Sequence, residues 1–590
     1  MEYFHIHTLS AWLDAWRNDP DAASVALITR QQALLTVHQG GEMPEWIFLT
    51  PIAELTLQIE QLLACNHSAL PLFGVPYAVK DNIDVAGMPT TAGCEEFRYF
   101  PTEDAYVVKQ LRAAGAICLG KTNLDQFAMG LNGTRTPFGQ PSCVFNANYV
   151  SGGSSSGSAV AVAKGQVAFT LGTDTAGSGR VPAGFNNLVG LKPTRGLISA
   201  RGVVPACRSL DCVSIFAANI DEAEQVLAVA GRYDADDVYA RKLPMQANAL
   251  HATPRLATFS TLEWFGDTLH AQAWHTWRSQ LVESTGLALA EIDPQPFLAM
   301  AKLLYGGPWV AERLAAIETF VDLHAEDIHP VVRTILLNAR RYTAVDVFKA
   351  EYQRKALLRQ IAEVLAPFDA LVLPTTAIFP TIEAVRDEPV QRNTELGHYT
   401  NFVNLADLAA LAIPVAFRTD GLPFGVTLIG ATWSDSVLAR IARQLLVPST
   451  PLPITHAAPL PNEMALAVVG AHLSGMPLNV QLTSRSARLL KVTATTPSYR
   501  LYALNNTVPE KPGLVFDQTG ASITVEVWAM PRTAVADFLQ DIPAPLGLGR
   551  VKLVEGDEVT GFICEPRALS DATDITQYGG WRAYLQSKGK

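Results

Sequence analysis

The chain has 590 residues, of which 48% are hydrophobic and 17% charged, and its formal net charge is -11. This composition is that of a globular protein rather than a disordered one, and the acidic balance disfavours a nucleic-acid partner.

The apolar runs, the first residues and the cysteines further restrict the class of protein. No run of about 18 apolar residues occurs, so we expect no membrane span. The first residues lack the positive and apolar regions of a signal peptide, and the seven cysteines include no C-x-x-C pair. We therefore expect a cytoplasmic protein with reduced thiols, no metal and no other cofactor.

The predicted elements change character along the chain. The first 70 residues or so predict mostly helix, whereas residues 73–214 alternate short apolar strands, Gly-rich turns and Ala-rich helices, as in an α/β fold. Residues 294–365 have the periodicity of long helices. Apolar runs at 370–374 and 424–430 predict strands that return to the same sheet.

A proline-rich stretch then interrupts the chain. Residues 448–461 contain five prolines, which cannot continue a helix or a central strand and favour an extended spacer. We predict an N-terminal domain over 1–447, a linker over 448–461 and a C-terminal domain over 462–590. The last of these is rich in predicted strands, with one helix near 535–539.

Two serines flanked by small residues are candidates for a nucleophilic catalytic site. Ser154 lies in Ser-Gly-Gly-Ser-Ser-Ser-Gly-Ser and Ser178 in Ala-Gly-Ser-Gly-Arg. Small residues let backbone N–H groups approach a ligand closely, as an oxyanion hole requires. A nucleophilic serine also needs a base, and Lys80 ends an apolar strand where burial would keep it neutral. Each feature alone also fits a flexible loop or a surface lysine, but their combination favours a nucleophilic site.

A second interpretation of the serine cluster is a nucleophile elbow. Residues 153–157 match G-x-S-x-G, which requires a strand before it and a helix after it. Residues 145–150 are rich in turn-forming residues and predict no strand, and no histidine lies between His67 and His251. We therefore disfavour a Ser-His-Asp triad at this cluster.

Taken together, these motifs resemble the amidase signature family. The resemblance covers about residues 70–215 and again 368–430, and it includes the segments Gly120–Asn123 and Gly190–Thr194. It implies an α/β/α sandwich with a mixed central sheet and helices on both faces.

The resemblance also implies roles for individual residues. Ser178 would be the nucleophile, Lys80 the base, and Ser154 the serine that relays the proton between them, a variation on triad logic. The implied oxyanion hole and substrate contacts are the backbone of Thr175, Ala176, Gly177 and Ser178, together with Gly130.

One departure from the common family pattern restricts the class of substrate that we expect. Around Ser178 the chain reads Ala-Gly-Ser-Gly-Arg where common members read Gly-Gly-Ser-Ile-Arg, and this resembles the allophanate hydrolase branch. Residues 305–313 resemble the substrate-recognition helix of that branch, so Tyr305 and Arg313 are implied to contact a small anionic substrate. A guanidinium fork suits a carboxylate. Without the resemblance, a surface arginine and a packed tyrosine would be the simpler interpretation.

The C-terminal part points the same way. Residues 468–479 resemble the allophanate hydrolase C-terminal domain, which looks related to the small α+β γ-glutamyl cyclotransferase-like fold. By resemblance, the N-terminal domain would hydrolyse allophanate (urea-1-carboxylate) to ammonia and N-carboxycarbamate in urea degradation. The C-terminal domain would promote breakdown of that product to ammonia and carbon dioxide. His472 is the candidate acid/base there, because imidazole titrates near neutrality, and a structural histidine is the alternative.

Two other functions remain open. One is a different amidase, such as the glutamine-hydrolysing subunit of a tRNA amidotransferase. The other is a C-terminal domain that only binds a carboxylated ligand or a partner protein. The expected partner is the small-molecule substrate allophanate, and the resemblance leaves open a homodimer and a functional link to a urea carboxylase.

Overall fold

The structure is a computed structural model. It describes residues 6–39, 41, 43–64, 70–244, 251, 253–446, 459, 463–473, 476–483, 485, 487–505, 507–554 and 556–588. The chain divides into two compact units, Glu2–Val447 and Pro448–Lys590, here called the N-terminal and C-terminal units. Apart from Pro459, the predicted linker lies outside the described residues, and the predicted domain boundaries stay predictions. No helix in the described ranges is long and apolar enough to cross a membrane.

The N-terminal unit is built on an 11-stranded mixed sheet. The strands of this unit, numbered along the chain, are β1 (Trp46–Leu49), β2 (Pro76–Lys80), β3 (Ile117–Thr122), β4 (Ser142–Cys143), β5 (Asn146–Val150), β6 (Phe169–Asp174), β7 (Val189–Lys192), β8 (Cys212–Ala217), β9 (Leu256–Phe259), β10 (Leu289–Ile292), β11 (Ala370–Pro374), β12 (Ala409–Phe417) and β13 (Pro423–Gly430). Across the sheet their order is β1-β3-β2-β6-β8-β7-β12-β13-β11-β9-β10, and β4 pairs with β5 in a separate ribbon. β2 runs parallel to both of its neighbours, β3 and β6, whereas β6, β8, β7 and β12 are successively antiparallel.

Helices pack around this sheet. They are α1 (Leu9–Asn18), α2 (Pro20–Gln39), α3 (Ile52–Leu63), α4 (Tyr106–Ala113), α5 (Ser156–Ala163), α6 (Val181–Phe185), α7 (Ile220–Ala230), α8 (Thr268–Thr285), α9 (Gln295–Gly306), α10 (Trp309–His324), α11 (Pro330–Ala339), α12 (Ala344–Leu365), α13 (Ile382–Asp387), α14 (Gln391–Leu396), α15 (Phe402–Leu405) and α16 (Asp435–Leu445). Strands β2, β3, β6 and β8 are buried along their whole length, as expected where helices cover a sheet. The predicted α/β class is confirmed, including the long helices over 294–365 and the strands near 370–374 and 424–430.

Helix α5 shows how sequence places the site. Its residues are Ser, Gly, Ala and Val alone, and all of them are buried. Because it carries no large side chain, α5 packs directly on β2, β3, β6 and β8. Its N-terminus, which follows the serine cluster, is thereby held against the strands that carry Lys80 and Thr173.

One prediction for this region is wrong. Residues 146–150, for which the sequence predicts no strand, form β5, which pairs with β4. Tertiary pairing outweighs the weak local propensity, since Val150 N donates to Pro380 O and Tyr149 bridges to Thr381. The serine cluster therefore does lie between a strand and a helix.

The C-terminal unit is β-rich, as predicted for this part of the sequence. Its elements are β14 (Glu463–Val468), β15 (Arg488–Ala494), β16 (Tyr499–Ala503), β17 (Pro512–Phe516), β18 (Thr524–Pro531), β19 (Leu546–Lys552), β20 (Glu558–Cys564), β21 (Thr573–Asp574), α17 (Asn479–Thr483), α18 (Arg532–Gln540) and α19 (Trp581–Ser587). A five-stranded sheet has the order β15-β18-β14-β20-β19, and a three-stranded sheet has the order β17-β16-β21. The unit has its own apolar core, which includes Leu466, Val527 and Phe538.

Candidate active site

Lys80 is the last residue of β2, and its side chain is fully buried. Its Nζ donates to Ser154 Oγ at 2.8 Å and to Thr173 Oγ1 at 2.7 Å. The predicted base and the predicted bridging serine therefore lie in direct contact. Thr173, on the neighbouring strand β6, was not predicted and supplies the second hydroxyl.

Burial decides the charge of this lysine. Desolvation lowers the pKa of Lys80 from 10.5 to about 7, although the charges of Asp125, Asp211 and Asp174 pull the pKa upward. Lys121, in the adjacent strand β3, is equally buried but lies 3.0 Å from Asp81 in an ion pair. Lys80 instead contacts two neutral hydroxyls, so near neutral pH a large fraction of it is an uncharged amine that can accept a proton.

The serine cluster between β5 and α5 is fixed by Asp125. Asp125 N donates to Ser154 O at 3.0 Å, and a Cβ on Gly153 would collide with Asp125 Oδ2. Only glycine fits at position 153, which explains this part of the motif. Ser155, the elbow position of G-x-S-x-G, donates its hydroxyl to Thr173 O at 3.1 Å and accepts from Thr173 N at 3.3 Å. Ser155 is thus a structural residue, and the elbow interpretation fails although its strand and helix are present.

Ser178 lies in the loop between β6 and α6 and is 3% exposed. Its Oγ is 3.5 Å from Gly130 O, at the outer limit of hydrogen bonding. Among the described residues it makes no hydrogen bond to Ser154. The structure therefore joins Lys80 to Ser154 directly, and it places Ser178 against Gly130, another residue of the predicted site.

The loop that carries Ser178, here called the nucleophile loop after the predicted role of that residue, is held by a buried ion pair. The Asp174 carboxylate accepts from Arg180 Nε at 2.9 Å and Nη2 at 3.0 Å, and from the N–H groups of Gly177 and Gly179 at 3.0 Å each. Burial acts to raise the pKa of Asp174, but Arg180, Lys192 and the Gly179 N–H together hold the pKa below its ordinary value. Arg180 also donates to Asn404 Oδ1 at 3.3 Å, so the loop is tied to α15.

The hydrogen bonds that hold this loop also determine which N–H groups of the predicted oxyanion hole are available. Gly177 N–H already donates to Asp174, whereas the N–H groups of Thr175, Ala176 and Ser178 have no acceptor within the described part of the chain. Gly177 has φ +141°, and a Cβ there would collide with Thr400 Oγ1, so the turn requires glycine. Three of the four predicted N–H groups are thus available to an oxyanion.

Asp211 supports the other side of the loop. Its Oδ1 accepts from Thr175 Oγ1 at 2.5 Å, and its Oδ2 accepts from Ala206 N at 2.9 Å. Burial raises the pKa of Asp211 to about 6. No sequence motif marks Asp211, Asp125 or Thr173, because they act through contacts that form only in the folded chain.

Arg313, on α10, is fully buried and lies over the Tyr305 ring of α9, 4.9 Å from its centroid. None of its guanidinium nitrogens has a hydrogen-bond partner among the described residues. An unpaired buried charge is costly, so such a group is suited to an anionic ligand. The two residues predicted to contact substrate are therefore adjacent, and Arg313 has free donors.

His472 follows β14 in the C-terminal unit. Its Nε2 lies 2.9 Å from Gln481 Oε1, and its ring stacks on Phe562 with centroids 4.8 Å apart. Burial lowers the pKa of His472 below its ordinary value. Lys511 and Asp541 line the same cavity of about 20 Å³. The predicted role of His472 stays a prediction.

Comparison with known proteins defines the class. The Amidase family profile matches residues 49–438, and the profile of the allophanate hydrolase C-terminal domain matches residues 464–586. The chain belongs to the amidase family, and it is an amidase-type hydrolase.

The chain is also similar to individual proteins of this class. Urea amidolyase of Saccharomyces cerevisiae is 44% identical over 98% of this chain, which spans 33% of that protein. The chain thus spans about a third of the length of the urea amidolyases it matches. The solved structure of selenomethionine-substituted Kluyveromyces lactis allophanate hydrolase is 41% identical, with a TM-score of 0.71, and the match covers 98% of this chain and 99% of that one. One subunit of the glutamyl-tRNA(Gln) amidotransferase of Treponema pallidum (strain Nichols) is 34% identical over 64% of this chain and 82% of its own length.

Proposed function

We propose that the chain is an allophanate hydrolase that acts in urea degradation. The similarity to allophanate hydrolase over nearly the full length of both chains supports this substrate. The observation that carries the proposal is Arg313, a buried guanidinium without a partner among the described residues, next to Tyr305. Allophanate is a small amide with a carboxylate, and that carboxylate would supply the missing partner.

The proposed reaction in the N-terminal unit starts at Ser178. Its Oγ would attack the terminal amide carbon, its proton passing to Ser154 and from there to neutral Lys80. Ser178 would first exchange its weak contact with Gly130 O for one with Ser154. The oxyanion would be stabilised by the N–H groups of the nucleophile loop. Collapse expels ammonia with the proton from Lys80, and water then releases N-carboxycarbamate by the same relay.

We further propose that the C-terminal unit promotes breakdown of N-carboxycarbamate to ammonia and carbon dioxide. The match of residues 464–586 to the allophanate hydrolase C-terminal domain supports a linked role. His472, beside Lys511 and Asp541, is the proposed acid/base group.

The biological setting is part of the same proposal. We infer a functional link to a urea carboxylase, which would supply allophanate, because the chain aligns with a third of urea amidolyase. A cytoplasmic location agrees with the free, buried thiols of the described cysteines. The homodimer stays a prediction.

Ammonia release from a panel of amides tests this function. We expect allophanate to be hydrolysed with a much higher kcat/KM than glutamine or uncharged simple amides. A preference for glutamine would instead favour the amidotransferase-type activity of the relatives that match only 64% of the chain.

A further inference from the structure

A cavity of about 180 Å³ lies beside Tyr305, and we call it the approach cavity. Its wall includes Arg135, Tyr305, Arg341, Tyr342 and Asn393. Its volume is more than ten times the ~10–15 Å³ that one water molecule needs, so a small organic molecule fits. Tyr305 belongs both to this wall and to the stacked pair with Arg313.

The cavity is separated from Ser178 by one short segment of chain. Met129 O accepts from Arg135 Nη1 at 2.8 Å, Gly130 O accepts from Ser178 Oγ, and Leu131 N donates to Asn393 Oδ1 at 2.8 Å. Of these three consecutive residues, the first and the last bind residues of the cavity wall, and the middle one contacts Ser178. The approach cavity is therefore next to the reacting atoms.

Its charge is unusual for this chain. Two arginines line it, and none of its described lining residues is acidic, although the whole chain carries a net charge of -11. Arg135 is 2% exposed and binds Met129 O and Pro389 O, yet its Nε has no partner among the described residues. The nearby Asp125 carboxylate accepts from the N–H groups of Gly133 and Arg135 and compensates part of the Arg135 charge, so Arg341 supplies the positive charge that is left at the cavity.

A second cavity shows the contrast. The cavity of about 430 Å³ beside Asp211 is also lined by arginines, but Arg241 pairs with Asp407 and Arg354 pairs with Glu351. The wall of this second cavity also contains the carboxylates of Asp211, Asp237 and Glu351, whereas no described lining residue of the approach cavity is acidic. The approach cavity keeps its positive charge.

We propose that the approach cavity is an anion-binding subsite that captures the carboxylate of the incoming substrate before it reaches Tyr305 and Arg313. This inference rests on the proposed function, because it assumes an anionic amide. An acidic protein repels such a substrate at long range, and a local positive patch in a low-dielectric wall offsets that repulsion and raises the capture rate.

Arg341→Gln tests the subsite in the full chain, since Arg341 is exposed and its loss leaves the core intact. The matched control is Arg340→Gln, which makes the same charge change one residue earlier, where the side chain pairs with Asp322 and does not line the cavity. We would measure kcat and kcat/KM for allophanate at ionic strengths of about 0.01 M and about 1 M, where the screening length is about 30 Å and about 3 Å.

We expect Arg341→Gln to lower kcat/KM roughly threefold to tenfold at low ionic strength with kcat unchanged, and the deficit to shrink at high ionic strength. Arg340→Gln should follow the unmodified chain, and Arg341→Glu should exceed the loss of Arg341→Gln. Equal salt responses of Arg341→Gln and Arg340→Gln would overturn the subsite while leaving the proposed function standing. If the unmodified chain released no ammonia from allophanate, the proposed function would fail, and this inference with it.

Discussion

The predicted bases of the two units, Lys80 and His472, have different surroundings. Lys80 is fully buried, whereas His472 is partly buried. Lys80 contacts the hydroxyls of Ser154 and Thr173, and the loops around it are held by the backbone N–H of Asp125 and the buried carboxylate of Asp174. His472 has a side-chain hydrogen bond with Gln481 and otherwise lies against aromatic rings.

The difference concerns preorganisation. In the N-terminal unit the proposed base, the proposed relay serine and the loop N–H groups are already positioned, which is what electrostatic stabilisation of a transition state requires. In the C-terminal unit the cavity beside His472 is about 20 Å³, room for about one water molecule. N-carboxycarbamate therefore fits there only if the cavity widens. We expect substitutions to have abrupt effects in the first site and graded effects in the second.

Lys80 gives the largest expected effect. Lys80→Ala should lower kcat by on the order of several powers of ten, since no base remains for the relay. Lys80→Arg should be equally inactive, because a guanidinium does not give up its proton. Steady-state ammonia release checks both variants, and Lys121→Arg, at the buried ion pair with Asp81, serves as a control for charge-preserving changes in this layer. An active Lys80→Arg enzyme would reduce the lysine to a mere positive charge.

Arg313 should affect binding more than turnover. A lost charge-assisted contact of about 1.5–3 kcal/mol corresponds to at least about tenfold weaker binding, so Arg313→Ala should raise KM for allophanate by that factor. The KM of an uncharged amide should change much less. Equal losses on both substrates would mean that Arg313 supports the fold or the site in general.

The rate should follow the protonation of Lys80. Because its pKa is about 7 and the neutral form is the base, kcat should rise with pH through about 7 and level off above it. Below the pKa, the rate should fall about tenfold per pH unit. A pH profile of single-turnover ammonia release measures this, and a rate independent of pH from about 6 to about 8 would contradict a lysine base.

Removal of the C-terminal unit should have the smallest effect on the release of the first ammonia. Removal of residues 463–590 should leave the first ammonia at a near-normal rate while the second ammonia and carbon dioxide lag, since each unit has its own core. His472→Ala in the full chain should reproduce that lag. If the truncated chain releases both ammonias in step, the C-terminal unit is not catalytic. If it loses the first step as well, the unit is a structural support.

The candidate site could be predicted from the sequence where its residues carry a local pattern. Lys80 ends an apolar strand, and Ser154 and Ser178 have small neighbours, so each has a signal in the chain. Asp125 and Thr173 have none, because they act through contacts with residues that are distant in sequence or on a neighbouring strand. The strand β5 was missed for a similar reason, since its pairing with β4 and Thr381 outweighs a turn-rich composition.

The fold shows the same division. Helix α5 follows from composition, and the long helices over 294–365 follow from periodicity. The order of the sheet does not, because β12 and β13 are inserted between β7 and β11, and β12 pairs with a strand more than 200 residues earlier in the chain. Such pairing depends on the packed whole rather than on any local segment.

Ser178→Ala tests the central claim most directly. Ser178 Oγ makes one weak hydrogen bond, to Gly130 O at 3.5 Å, among the residues that the structure describes, so its hydroxyl contributes little to folding. We predict that the variant keeps the thermal midpoint of the unmodified chain and loses on the order of several powers of ten in kcat for ammonia release from allophanate. Near-normal release by a folded Ser178→Ala chain would contradict the assignment of Ser178 as the nucleophile.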